Sequence, residues 1–284
     1  MGWAALAALL LAGVALEAGG VVFEQEYSRR PRPLPGQQLE APIYVIGLVG
    51  QSGSGKSTAA KMLTQKGCEL VNADEIGHDS YKKGSECYDK IVSRFGQDVV
   101  APSGEIDRRA LGSLVFNDDR NRKALESLVW PEIERRIEKR IQARRDERSR
   151  WYRLCGGEEK SMQVGRHVVV LEAAVALEAG WTKFCDEVWV IESPGHEVLK
   201  GRLVDKRGLA SAEAGRRLDA QKNSRLGQSA KKIQEQITKA GIYTAIVRNA
   251  GTLKEYAKEV NLRWDTTSRR AGSYLQRRCF DGQR

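Results

Sequence analysis

No two of the five cysteines (Cys68, Cys87, Cys155, Cys185 and Cys279) stand in C-x-x-C spacing, and their number is odd. Neither a zinc site nor a disulfide framework is indicated, and a reducing compartment is the simplest setting. The three histidines, His78, His167 and His196, lie far apart without ligand spacing and read as ordinary residues. No Asn-Lys-x-Asp follows a strand-like run, which argues against a GTP-binding switch, and no Leu-Ser-Gly-Gly-Gln occurs, which argues against a transporter ATPase. Residues 1–23 contain neither a basic n-region nor arginine, so they fit neither a cleaved signal peptide nor a mitochondrial presequence. Leu6 stands where myristoylation after Gly2 would want Ser or Thr.

What those first residues do contain is an apolar run, Trp3 to Leu16, which reaches Phe23 if Glu17 is tolerated. That approaches the roughly 20 residues needed to span a bilayer. Arg29, Arg30 and Arg32 follow it, and the positive-inside rule then puts the rest of the chain on the cytoplasmic face. A membrane anchor and a dispensable leader both remain open. Pro31, Pro33 and Pro35 mark residues 24–41 as an extended linker, so the folded domain is expected from 42 to 265, with a polar, basic tail over 266–284.

The 284 residues are 41% hydrophobic and 30% charged, enough to bury one core. A net charge of +10 points to an anionic partner: a polyphosphate nucleotide, an anionic membrane or nucleic acid. The arginine-rich stretch 134–153 is interleaved with Glu134, Glu138, Asp146 and Glu147 and has no aromatic series, so it reads as a solvated helix face and not as a nucleic-acid site.

Gly50, Gln51, Ser52, Gly53, Ser54, Gly55, Lys56 and Ser57 fit G-x-x-x-x-G-K-[ST] at every fixed position. Small residues let successive backbone N–H groups turn inward around phosphates, Lys56 reaches the β and γ phosphates, and the Ser57 hydroxyl is placed for Mg²⁺. An apolar strand-like run over 43–48 precedes the loop and a helical pattern over 57–63 follows, as the motif requires.

Further strands are expected over 68–71, 168–171, 187–191 and 242–247. Helices are expected over 86–95, 108–116, 121–130 and 131–150, the last with Ile133, Ile137 and Ile141 on one stripe. Ser193 with Pro194 signals a helix start, and helices to Arg207 and over 211–223 follow, joined by a short glycine-containing turn. An amphipathic stretch runs to Ala240, and Thr252 with Glu255 forms a capping box opening a last helix towards Arg263. Strands alternating with helices predict an α/β fold with a parallel sheet.

Ligands of such a sheet sit beyond the carboxyl ends of its strands. Asp74 follows the second strand, and if that strand neighbours the first it lies near the γ phosphate as a general base; a helix N-cap is the competing reading. Glu172 ends the third strand, where an acid can hold a Mg²⁺-bound water, or it is a plain surface glutamate. Arg202, Lys206, Arg207, Arg216 and Arg217 suit a lid that brings positive charge over a transferring phosphoryl group. These features leave a small-molecule kinase, or a P-loop ATPase or nucleotide-binding regulator without kinase activity.

Further motifs join the loop: Ala73-Asp74 with Ile76-Gly77-His78, Arg94-Phe95-Gly96, Gly104-Glu105-Ile106-Asp107-Arg108, Trp130-Pro131, the run from Leu171 to Trp181, Glu187-Val188-Trp189, and Arg217-Leu218 with Gln221. In combination they resemble the dephospho-CoA kinase family, most closely the kinase half of bifunctional CoA synthases, from about Tyr44 to Val260. The resemblance implies a P-loop nucleotide kinase-like three-layer fold with a helical substrate region and a helical lid. It implies ATP-dependent phosphorylation of the ribose 3′-hydroxyl of dephospho-CoA, with Mg²⁺. Asp74 matches the base, Lys56 and the loop amides hold ATP, and Arg202 matches a lid arginine, with Lys206 or Arg207 as a second. Arg108 and Gln221 fall on the substrate side, Arg248 and Asn249 on the adenine side, and Ser57 with Glu172, through water, at the metal. Asn72 replaces the first acid of the family's Asp-x-Asp, Trp130 a histidine and Ala174 a proline, and the apolar leader is read as standing where CoA synthases carry an adenylyltransferase half.

Overall fold

Tyr44–Val49 (β1) is buried at every position. A parallel strand covered on both faces has no solvent side, so it reads as an unbroken apolar run. In the computed structural model, which describes residues 43–116, 118–154, 164–192, 195–222 and 224–280, β1 is the middle of a five-stranded sheet. Its partners are Glu69–Asn72 (β2), Val168–Glu172 (β3), Glu187–Glu192 (β4) and Tyr243–Arg248 (β5), in the order β2-β3-β1-β4-β5. Every pairing is parallel. Leu48 pairs with Glu172 and Glu172 with Asn72, so three strand ends stand abreast. The second strand is therefore not the neighbour of the first: β3 lies between them.

Lys56–Thr64 (α1) follows the phosphate loop, and Ala73–Ser80 (α2) follows β2. Glu86–Phe95 (α3) and Arg108–Phe116 (α4) have the expected bounds. The two helices expected over 121–150 are one, Asp119–Leu154 (α5), with Pro131 inside it. An interior proline costs about 3 kcal/mol or more in an isolated helix. Here Val129, Ile133, Ile137 and Ile141 are buried on both sides of it, so continuous core packing overrides the break. Gly77 explains part of that closeness: a Cβ there would stand 3.1 Å from Ile133 Cδ1.

His196–Arg207 (α6) and Ser211–Lys222 (α7) turn on Gly208, which caps α6 in the left-handed region at φ 64°. Leu199, Leu203, Ala214 and Leu218 form a small core of their own between them. His196 Nε2 lies 3.3 Å from Asp219 Oδ1 across the pair. Ser193 and Pro194, the expected start of this segment, lie outside the described residues, as do the loop at 156–160, the apolar leader and the proline linker.

After Ala230–Lys239 (α8) and β5 comes the largest departure. The final helix, Leu253–Phe280 (α9), does not end near Arg263 but runs through most of the expected tail. Tyr256, Val260, Trp264, Thr267, Ala271 and Tyr274 are buried at helical spacing. Its far half is tied to the sheet by one carboxylate. Glu187, fully buried, accepts from Thr267 Oγ1 at 2.9 Å, Arg270 at 2.8 Å, Tyr44 Oη at 3.0 Å and Trp189 Nε1 at 3.0 Å. Arg270 also lies over the Tyr243 ring. Among the described residues no helix is long and apolar enough to cross a membrane.

Candidate active site at the carboxyl ends of the strands

The phosphate loop needs its glycines. Gly53 and Gly55 take φ of 80° and 108°, where side chains are strained, and a Cβ on Gly50 would stand 2.8 Å from the Ile191 carbonyl. Gly55 is also the N-cap of α1 without a side-chain cap, so the first-turn N–H groups face the loop, the arrangement that binds anions at helix N-termini. Lys56 is buried, and its ammonium donates to the Gly50 carbonyl at 2.7 Å and the Gln51 carbonyl at 3.0 Å.

While the Gly50 and Gln51 carbonyls accept from Lys56, the next three carbonyls in succession, from Gly53 to Gly55, meet side chains from α6, from the residue after β5 and from α9. Arg202 of α6 lies 3.4 Å from the Gly53 carbonyl, Asn249 Nδ2 donates to Ser54 at 2.6 Å, and the Tyr256 hydroxyl of α9 donates to Gly55 at 3.1 Å. Arg202 also approaches the Asn249 carbonyl at 3.4 Å. Burial pushes the Tyr256 phenol pKa up, partly opposed by Arg202, so the group stays a donor at neutral pH. Tyr256 was invisible as a site residue in the sequence; only the capping box four residues earlier fixes where its helix starts.

On the other side of β1, Ser57 Oγ donates to Glu172 Oε1 at 2.5 Å, and Glu172 is buried. The plain surface reading of Glu172 does not hold. Asp74, exposed, accepts from the Ala174 amide at 3.4 Å. It is not the N-cap of α2: Asn72 is, accepting from Asp74 N at 3.0 Å and Glu75 N at 3.3 Å. Asn72 Nδ2 also donates to Glu75 at 3.0 Å, which an aspartate could not do. The substituted residue thus has a local structural task. Hydrogen bonds from Asn72 fix the first turn that carries Asp74, while β3 supplies Glu172 beside it.

The remaining candidates scatter. Arg108 is exposed at the start of α4 against Tyr81, whose pKa is raised by burial while Arg108 opposes the shift. Gln221, expected on the substrate side, reaches back from α7 to accept from the Ser52 amide at 2.8 Å. Asn249, expected beside the adenine, spends its amide on the loop, and exposed Arg248 pairs with Glu192 at 3.2 Å. The side chains of Lys206, Arg207 and Arg217 lie outside the described residues. Cys68, Cys87 and Cys185 are buried free thiols, and desolvation raises all three, Cys68 to about 12, which disfavours the thiolate that a nucleophile needs.

Among the described residues no group of three or more His, Cys, Asp or Glu is placed to hold a metal. Mg²⁺ does not require one. It takes oxygen ligands, keeps several waters and is completed by substrate phosphates, and the Ser57–Glu172 pair offers that donor chemistry.

Residues 44–154 match the family model described as dephospho-CoA kinase. A relative from Symbiobacterium thermophilum named dephospho-CoA kinase is 34% identical over 220 residues, covering 78% of this chain and 80% of its own. Another of that name from Geobacter sulfurreducens is 31% identical, covering 78% of this chain and 96% of its own. Among solved structures, TT1252 from Thermus thermophilus aligns with a TM-score of 0.55 at 24% identity, over 80% of this chain and 97% of that one, a likeness of fold.

Proposed function

The chain belongs to the dephospho-CoA kinase family, and from that premise we propose how its residues carry ATP-dependent phosphorylation of dephospho-CoA. The reaction transfers the γ-phosphoryl group of ATP to the ribose 3′-hydroxyl, giving CoA and ADP at the end of coenzyme A biosynthesis. The observation that supports the assignment of roles is the alignment of β1, β3 and β2, which sets the loop, Glu172 and Asp74 along one edge.

The acceptor hydroxyl gives its proton to Asp74 as its oxygen attacks the γ phosphorus and ADP leaves. Asp74 has capacity for that proton, because its carboxylate is exposed and, among the described residues, carries one long contact, to Ala174 N. Lys56 moves from the loop carbonyls to the phosphates, and the amides of Gly55 and Lys56 hold the same oxygens. Arg202, held at the loop by Gly53 and Asn249, adds positive charge from the lid. Ser57 and, through water, Glu172 are the residues that would hold Mg²⁺, which when bound offsets the phosphate charge. Arg108 is assigned to the acceptor and Arg248 to the adenine side. Gln221 and Asn249 act on the loop they already touch.

The test is ADP release by the full-length protein with and without dephospho-CoA, with CoA measured alongside. ADP and CoA should appear together and only with both substrates. ATP hydrolysis indifferent to dephospho-CoA would favour a P-loop ATPase instead.

Location rests on the sequence alone: the apolar run from Trp3 to Phe23 followed by Arg29, Arg30 and Arg32 supports tethering at the cytoplasmic face of a membrane. Release from membranes in carbonate, equal to that of a form starting at Pro42, would remove that proposal.

A further inference from the structure

Gly53, Ser54 and Gly55 lie at the turn that the Ser54 amide closes on the Gln51 carbonyl at 3.1 Å. Their carbonyls are met in turn by Arg202, Asn249 and Tyr256. The first two contacts come from polar side chains that also lie against each other, Arg202 approaching the Asn249 carbonyl. The third comes from a buried phenol on a helix whose body packs elsewhere. Gly55 has no room for any other residue: besides its φ of 108°, a Cβ would collide with Asn249 Nδ2 and stand 3.2 Å from Tyr256 Cε1. The loop and these two side chains therefore fit as one packed unit.

We propose that Tyr256 is a positioning residue for phosphoryl transfer, acting through its hydroxyl on the Gly55 carbonyl. The peptide that carries this carbonyl also carries the Lys56 N–H. A donor on one end of a peptide polarises the other, strengthening the bond its N–H gives. Asn249 does the same for the peptide between Ser54 and Gly55. Tyr256 thus fixes the direction of the Lys56 amide and raises its strength as a donor to a phosphate oxygen. It touches neither substrate.

The fold holds Tyr256 to this task. Its own N–H bonds to the Thr252 carbonyl at 2.9 Å. Thr252 and Glu255 close the capping box at the start of α9, with Thr252 N donating to Glu255 at 2.7 Å and Glu255 N to Thr252 Oγ1 at 3.3 Å. Twenty-eight residues of helix, anchored at the far end by Arg270 on Glu187, then resist rotation of the phenol away from the loop.

The inference rests on the kinase reading, and its test separates the two. In the full-length chain Tyr256→Phe removes one oxygen and keeps the ring. ADP affinity by calorimetry and kcat/KM for ATP should each fall about 3- to 10-fold, the range of one net hydrogen bond. KM for dephospho-CoA should stay at the wild-type value, and the melting temperature without nucleotide should fall by no more than the loss of one hydrogen bond allows. Wild-type ADP affinity in Tyr256→Phe overturns the proposal, and so does an equal loss for both substrates, which would mark a general structural role. If the wild type makes no CoA, the kinase reading fails, yet weaker ADP binding by Tyr256→Phe still upholds the brace.

Discussion

At the amino end of β4, Glu187 is fully buried and takes side-chain hydrogen bonds from Tyr44, Trp189, Thr267 and Arg270, whereas past the carboxyl end of β2, Asp74 is exposed and its carboxylate has, among the described residues, a single 3.4 Å contact from an amide. One is a carboxylate on the parallel sheet and the other stands in the first turn of the helix that follows it. The first has its acceptor capacity filled by protein, which is the condition for leaving a charge in the interior. The second keeps most of that capacity for something that is not protein. Saturation thus separates a carboxylate that holds the fold from one that is available for chemistry. Position in the sheet agrees, since ligands of open α/β sheets gather at the carboxyl ends.

The contrast can be broken from either end. Lys56→Ala removes the cation that spans the loop and should lower kcat/KM for ATP by about 10²- to 10³-fold, as removal of a preorganised charge contact does. Steady-state kinetics over ATP concentration checks it. At the other end Arg270→Met leaves Glu187 buried without its cation and should cost about 3–5 kcal/mol of stability in denaturant unfolding. The folded fraction should keep near-normal KM for both substrates, because the lesion lies away from the loop. Truncation after Asp265 removes Thr267 and Arg270 together and should be at least as damaging.

A smaller effect concerns the helical region between these ends. Arg135, and with it Arg136, holds Glu132 down at about 2 against an ordinary 4.5. Arg136 also donates to the Asp79 carbonyl at 3.0 Å, linking α5 to the end of α2. A depressed carboxylate stabilises the fold above its unfolded pKa and loses that contribution as pH falls through 4.5 towards 2. The group is partly exposed, so solvent screening leaves about 1 kcal/mol. Glu132→Gln should therefore melt lower than the wild type at pH 7, and the two curves should converge as pH approaches 2.

The phosphate loop was legible because its constraints are local: glycine at positive φ, then lysine and serine at fixed steps. The strands and the paired lid helices followed from apolar runs and a glycine turn for the same reason. Strand order is a long-range property, and nothing in residues 69–72 says that β3 will insert beside them. The roles of Asn249 and Tyr256 depend on where β5 and α9 return to the loop, so their residue types alone pointed elsewhere or nowhere. The extension of α9 was readable in the spacing of Tyr256, Val260, Trp264, Thr267, Ala271 and Tyr274, but the basic residues between them made the segment resemble a tail. At Pro131 a correct local rule was overridden by packing on both sides.

The carboxyl edge as the place of phosphoryl transfer is tested most directly by Asp74→Asn in the full-length chain, with CoA formation and ATP affinity measured on the same preparation. If Asp74 is the general base as proposed, CoA formation should fall by about 10²-fold or more in kcat, while ATP affinity stays near the wild-type value. A normal kcat in Asp74→Asn would contradict the account.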